Sequence, residues 1–217
     1  VQMNSTLSGA LATIQTAHGN GSQDLDVRYN LTVPPGATQA LMLFVQMNST
    51  LSGALASVAP FDSNVALLNA GLLDGLTLPE FSKIVNWDFS SLEAGSLQSF
   101  IWDDINGNGV QEGYEDGFAD LAVKLQDAAG NSIRTLVTDS FGVITALVLP
   151  GPYVLELERP AKYKISPKDQ PGNDLVDSDF DPFTARGAVT VFPAMNVSID
   201  AGLISLAPAA FAADQKY

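Results

Sequence analysis

The sequence has no cysteine and a single histidine, His18, in 217 residues. Without thiols there is no disulfide framework and no thiolate nucleophile, and one imidazole cannot make a His-cluster zinc site. His18 itself sits in Ala17-His-Gly-Asn-Gly21, a turn-like stretch that suits a loop better than proton abstraction. A G-x-S-x-G elbow, a phosphate-binding P-loop and a dinucleotide fingerprint are also missing, so the residues point away from an enzyme. Basic residues are scarce: ten Lys and Arg against 24 Asp and Glu leave a net charge of −14. That balance argues against nucleic acid and anionic membrane surfaces as partners, because phosphate neutralisation needs clustered cations. No apolar run is long enough to span a bilayer. The N-terminus has neither the basic segment nor the apolar core of a secretion signal, so the expectation is that any such signal has been removed. Charged residues of both signs make up only 16% against 46% hydrophobic, which permits a packed core and excludes wholesale disorder.

The acids that are present are unevenly placed. Asp103 to Asp120 holds six acids and no base, and Asp169 to Asp181 holds five acids and no base. Like charges crowded into one fold repel unless a bound cation neutralises them. The first block contains Asp104-Ile-Asn-Gly-Asn-Gly-Val-Gln-Glu-Gly-Tyr-Glu115, the D-x-[DN]-x-[DN]-G-x5-E pattern of a calcium loop. Calcium takes roughly 6–8 oxygen ligands, so one loop must aim many oxygens at one point. Alternate side chains do this, from Asp104, Asn106, Asn108 and Glu112. The carbonyl of Val110 adds an oxygen at position 7, and Glu115 closes the sphere with both of its own. Gly109 permits the sharp turn at position 6. The expected cofactor is Ca2+.

The flanks of the loop are not helical in pattern. Leu97 to Trp102 is short and β-prone, and Ala119 to Gln126 alternates with Leu121, Val123 and Leu125 on one face. The loop therefore joins two strands. Phe100-Ile-Trp-Asp-Asp-Ile-Asn-Gly-Asn-Gly109, with Glu115 and Gly117, resembles the opening of an SdrD B-like domain of the Cna B type, found in bacterial surface proteins. Further blocks follow in the family's order: Thr138-Asp-Ser-Phe-Gly142, Leu149-Pro-Gly-Pro-Tyr153, Gly172-Asn-Asp174, Asp177-Ser-Asp-Phe-Asp-Pro182 and Ile199-Asp-Ala-Gly-Leu203. The resemblance covers about residues 96–205 and implies a prealbumin-like β-sandwich that binds calcium and serves as a spacer or stalk. One departure is Glu112 where the family usually has Asp, which keeps the carboxylate on a longer arm. The resemblance also implies that Asp177, Asp179 and Asp181, with Asp174, help bind calcium near the first loop; by composition alone they also suit a solvated Asp-rich turn. Some Cna B relatives carry an internal Lys–Asn isopeptide bond. Here Lys124 and Asn196 lie on an early and a late strand, but Lys124 alternates with the apolar face and is expected to point to solvent.

Residues 1–95 are different, with seven acids and two bases. Asp24 to Val33 alternates as a strand, Ala40 to Gln46 is an apolar run suited to a buried strand, and Lys83 to Phe89 reads as a last strand before a linker at Ser90 to Ser96. The expected architecture is all-β: two tandem Ig-like or prealbumin-like sandwiches over 1–95 and 96–205, followed by an apolar tail, 206–217. Val1 to Ala12 recurs unchanged as Val45 to Ala56. This duplication is a recent copying event, a pair of equivalent strands in one sheet, or an N-terminal strand that inserts into a neighbouring subunit; the C-terminal tail is an equal candidate donor. Five N-x-Ser/Thr sequons, at Asn4, Asn20, Asn30, Asn48 and Asn196, suit either covalent glycans or ordinary polar turns. Together these features predict an extracellular, calcium-stiffened subunit of a surface filament, joined to copies of itself head to tail by strand exchange. The alternatives are an adhesin fragment with a ligand-binding N-terminal domain on a calcium stalk, and an accessory domain of a secreted enzyme.

Overall fold

The computed structural model describes residues 12–19, 22–29, 31–44, 48–170, 172 and 175–206. Its centre is a β-sandwich. One sheet contains β3 (Gly95–Asp103), β6 (Val143–Val148), β8 (Tyr163–Ile165), β10 (Asn196–Ser198) and β11 (Ala201–Ser205). The other runs β5 (Ser132–Val137), β4 (Ala122–Asp127), β7 (Gly151–Leu157), β9 (Arg186–Val191). Strand β3 pairs antiparallel with β6 and, along its other edge, parallel with β10 and then β11. Alternation sets the packing, since successive side chains of a strand point to opposite faces. Leu97 and Ile101 from β3, Val123 and Leu125 from β4, and Leu155 and Leu157 from β7 all enter one buried core, joined by Phe180 and Leu203. The strands expected at Leu97 to Trp102 and Ala119 to Gln126 are β3 and, from Ala122, β4.

Lys124 lies on the outward face of β4, 3.0 Å from Glu158, while Asn196 is on β10 in the opposite sheet, so the two are not placed for a cross-link.

Before the sandwich the chain departs from the tandem-sandwich expectation. Strands β1 (Ala12–Gly19) and β2 (Ser22–Tyr29) form an antiparallel hairpin, so part of the Asp24 to Val33 segment is a strand. The rest of this region, among the described residues, is turns and short helices: α1 (Leu51–Ala56), a 3-10 turn (Ala59–Phe61), α2 (Asn64–Asn69) and α3 (Leu78–Phe81). Each α-helix begins at a side-chain cap. Thr50 accepts from Gly53 N–H, Ser63 from Ala66 N–H, and Thr77 forms a reciprocal capping box with Glu80. The apolar run from Ala40 is not a ladder strand. It makes one parallel bridge, Ala40 to Ile84, after which the buried Asn86 side chain takes both backbone groups of Met42, at 2.9 Å and 2.8 Å. A side-chain amide has replaced the neighbouring strand.

The duplicated segment is corrected in the same way. In its second copy Leu51–Ala56 is helix α1, so the two copies are not equivalent strands of one sheet. The first copy, except Ala12, and the tail from 207 lie outside the described residues. The helical region packs on the outer side of β6, where Leu68, Leu73, Leu92 and Ala94 bury Leu147. Arg134 of β5 fastens it with a two-pronged bond to Asp74, 3.0 Å from Nε and 2.6 Å from Nη2, and donates also to Leu147 O.

Candidate metal centre

The loop from Asp104 to Glu115 leaves the end of β3 and is pinned at both ends. Asp103 N–H donates to Asp116 O at 2.9 Å, and Asp104 N–H donates to Leu203 O at 3.0 Å. The Asp104 carboxylate, 1% exposed, then organises the first half of the loop. Its Oδ1 accepts from Gly107 N–H (2.6 Å) and Asn108 N–H (3.2 Å), and its Oδ2 from Gly109 N–H (2.8 Å). Asn106 Oδ1 accepts from Asn108 N–H at 2.9 Å, and Asn108 Oδ1 from Val110 N–H at 2.7 Å. These local bonds curl the backbone so that alternate side chains stay on the inside of the turn.

Glu115 closes the loop from its far end. Oε1 accepts from Ile105 N–H at 2.9 Å and Oε2 from Glu112 N–H at 3.0 Å. The Glu112 carboxylate in turn receives the side-chain amides of Asn106 (3.2 Å) and Asn108 (2.7 Å). Asp104, Asn106, Asn108, Glu112 and Glu115 thus form one connected network. Gly109 has φ of +80°, and a Cβ there would lie 2.3 Å from Pro167 O. Only glycine fits that position.

A second segment lies across the loop. Val110 and Asp177 form an antiparallel bridge, Gln111 N–H donates to Val176 O (2.7 Å), and Ser178 N–H donates to Gly109 O (2.9 Å). Asp177 is 2% exposed, and its Oδ1 is buried with no hydrogen-bond partner among the described residues. Asp179 Oδ2 accepts from Asp200 N–H at 2.7 Å. Asp181 is used differently: its Oδ1 accepts from the N–H groups of Phe183 and Thr184 and from the Thr184 hydroxyl, which closes a turn. Asp174 lies outside the described residues.

Sequence reasoning overlooked Asp200, an acid in an otherwise apolar strand pattern. It is 7% exposed, and its Oδ1 accepts from Phe100 N–H (2.7 Å) and the Ser198 hydroxyl (2.9 Å). The available signal was the block Ile199-Asp-Ala-Gly-Leu203, where one charge interrupts residues that fill the core.

The electrostatics of this end are one-sided. Asp104, Glu115, Asp177 and Asp200 are all buried, and no Lys or Arg among the described residues forms an ion pair with any of them. Burial pushes the Glu115 pKa up, and burial reinforced by the charge of Asp177 pushes Asp200 up. Asp103 is raised by burial and then by Asp104 and Asp116. Among the described residues, no three His, Asp or Glu side chains converge closely enough to make a metal site by themselves. The loop instead offers mixed oxygens: carboxylates, two Asn carboxamides and a backbone carbonyl. An all-oxygen set with an orphaned, buried carboxylate oxygen at its border fits a hard divalent cation such as calcium.

Comparison with known proteins gives a consistent frame. The family profile for the SdrD B-like domain matches residues 95–203. Serine-aspartate repeat-containing protein E of Staphylococcus aureus (strain USA300) is 32% identical over 128 residues, 55% of this chain and 11% of that protein. Serine-aspartate repeat-containing protein F of Staphylococcus epidermidis (strain ATCC 12228 / FDA PCI 1200) is 34% identical over 112 residues, 49% of this chain and 7% of that protein. The chain therefore spans only about 11% and 7% of the length of these relatives. Among solved structures, the minor pilin GBS52 of Streptococcus agalactiae aligns with a TM-score of 0.36 and 20% identity, over 52% of this chain and 45% of that one. A streptococcal ancillary pilin aligns with a TM-score of 0.35 and 16% identity, over 52% and 33%.

Proposed function

This chain belongs to the SdrD B-like domain family through residues 95–203, and from that premise we propose that it is a calcium-stiffened structural segment of a bacterial cell-surface protein. The observation that carries the reading is the set of buried carboxylates at the loop end that have no cationic partner among the described residues. Carboxylates taken out of water without compensation cost several kcal/mol, and a divalent ion supplies the missing positive charge when bound. Asp104, Asn106, Asn108, Glu112 and Glu115, with the Val110 carbonyl, would hold it, and Asp177 and Asp179 would supply further carboxylates from the crossing segment. The chain's own contribution is to keep these oxygens pre-positioned. Asp104 fixes three backbone N–H groups of the loop, and Glu115 ties its two halves together. Locking this loop also holds β3 against β11, because Asp104 N–H is bonded to Leu203 O.

Titration calorimetry with calcium, alongside limited proteolysis, tests the reading. Saturable heat together with slower cleavage in calcium than in chelator is the expected result. No heat at millimolar-range calcium and identical cleavage patterns would remove it.

Assembly into a head-to-tail filament by strand exchange is a second reading, favoured by β5 and β8, each at a sheet edge with a strand on one side only among the described residues. The duplicated segment and the apolar tail are its candidate donors. Electron microscopy in calcium distinguishes it: fibres with a regular axial repeat support exchange, and monodisperse particles leave an isolated spacer.

A further inference from the structure

The calcium loop contains two Asn-Gly pairs, Asn106-Gly107 and Asn108-Gly109. Asn-Gly is the dipeptide in which side-chain cyclisation is least hindered, because the following residue has no Cβ to obstruct the approach. In that reaction the glycine nitrogen loses its proton and attacks the Asn Cγ. A C–N bond forms, ammonia leaves, and water opens the resulting succinimide at either carbonyl to give aspartate or isoaspartate. Both asparagines are exposed to water.

The closed loop engages the nucleophile, the carboxamide oxygen and the leaving nitrogen of this reaction. The nucleophiles, Gly107 N and Gly109 N, donate to Asp104 at 2.6 Å and 2.8 Å. The carboxamide oxygens accept from Asn108 N–H and Val110 N–H. The amide nitrogens that would leave are held by Glu112 and, for Asn106, also by the Tyr114 hydroxyl at 2.9 Å. Ring closure therefore requires the loop to open first. Whatever holds it closed slows the chemistry by the same factor by which it suppresses opening.

We propose that Asn106 and Asn108 are sites of spontaneous deamidation guarded by calcium, so that the loop keeps an irreversible record of calcium deprivation. This inference rests on the calcium reading above. Isoaspartate routes the main chain through the former side chain and adds one methylene to it. The i to i+2 bonds of residues 106 and 108 are then lost, and an aged loop no longer gathers its oxygens. Calcium restored afterwards would not stabilise the isoaspartate fraction.

The test incubates the purified chain at neutral pH and physiological temperature in calcium and in chelator, followed by peptide mapping with isoaspartate-sensitive fragmentation. Asn20-Gly21, an Asn-Gly pair remote in sequence from the loop, serves as the internal reference. The expected result is deamidation at 106 and 108 in chelator, slowed in calcium by about 1 + [Ca]/Kd, on the order of a hundredfold at a hundredfold excess over Kd. Asn20 should convert equally in both. Unmodified 106 and 108 in chelator after Asn20 has reacted would overturn the proposal. So would a loop rate that calcium leaves unchanged or increases. Melting curves of the same samples separate the two claims. A calcium-dependent melt with calcium-independent ageing removes only the guard, whereas a melt indifferent to calcium removes the binding reading beneath it.

Discussion

Replacing Glu115 by glutamine keeps the volume of the side chain that closes the loop and removes its charge. In the native loop its two oxygens accept from Ile105 and Glu112 N–H groups, and the carboxylate is 5% exposed. Without metal the substitution has opposing effects. One oxygen becomes an NH2 that faces a donor, which costs about 1–3 kcal/mol for an unsatisfied group, while a buried charge disappears, which recovers a similar amount. The melting temperature in chelator should therefore move little. In calcium the balance changes, because the position 12 ligand supplies both oxygens of a bidentate contact. A ligand at a hundredfold excess over Kd stabilises the folded state by about 2.7 kcal/mol. With about 2–4 °C per kcal/mol in a chain of this size, that is roughly 5–10 °C of melting temperature. The wild type should gain that increment and Glu115→Gln should lose most of it. Scanning calorimetry on both proteins, with calcium and with chelator, measures the four values. An equal calcium increment in the two, or none in the wild type, would refute the assignment.

Gly109→Ala should destabilise by about 1–3 kcal/mol or more with or without calcium, since it combines a left-handed φ with a Cβ 2.3 Å from Pro167 O. Gly107→Ala, also at positive φ but with nothing nearer than Ile204 Cδ1 at 3.5 Å, should cost only about 1–2 kcal/mol; denaturant midpoints that reverse this order would contradict the packing. Asp177→Asn should raise stability in chelator, by relieving repulsion with Asp200, and lower the gain from calcium; a parallel shift under both conditions would show that Asp177 does not face the cation. Arg134→Met should cost about 2 kcal/mol at neutral pH by stranding Asp74. Burial already raises the Asp74 pKa above 3.8 despite Arg134, and removing the guanidinium raises it further. The folded state then takes up the proton before the unfolded state does, so the loss should shrink as pH falls through the folded pKa towards 3.8. Urea titrations across that range that show a constant deficit would exclude Asp74 as its source.

The sandwich was legible because its strands alternate in a simple way and its loops carry fixed motifs. Leu97 and Ile101, then Val123 and Leu125, enter the core at a period of two, and the spacing from Asp104 to Glu115 can be read without any structure. In the region before it, part of the strand at Asp24 to Val33 is present as β2, but Ala40 onward was misread as a strand because apolar runs there are ambiguous. Ala40 to Phe44 is as apolar as a buried strand, yet only Met42 and Phe44 pack inward, near Asn86, Trp87 and the short helices, while Leu41 and Leu43 are exposed. The caps that start those helices were visible, above all Thr77-Leu-Pro-Glu80, a capping box with proline inside the first turn. The position of Asp200 beside Asp179 was not legible, because it depends on which late strand returns to lie along β3.

That return has a consequence for how the domain bears force. Strand β3 begins the sandwich and β11 ends it, and the two run parallel with Ile101 beside Ala201 and Asp103 beside Leu203. The polypeptide therefore enters at one pole and leaves at the other. A pull on the two ends acts along the strands, and the hydrogen bonds of β10 and β11 to β3 are strained together in shear rather than peeled one after another. The bond from Asp104 to Leu203 extends the β3–β11 contact to the exit pole, so the first residue of the Asp104–Glu115 loop shares that shear load with the pairing of β11 to β8.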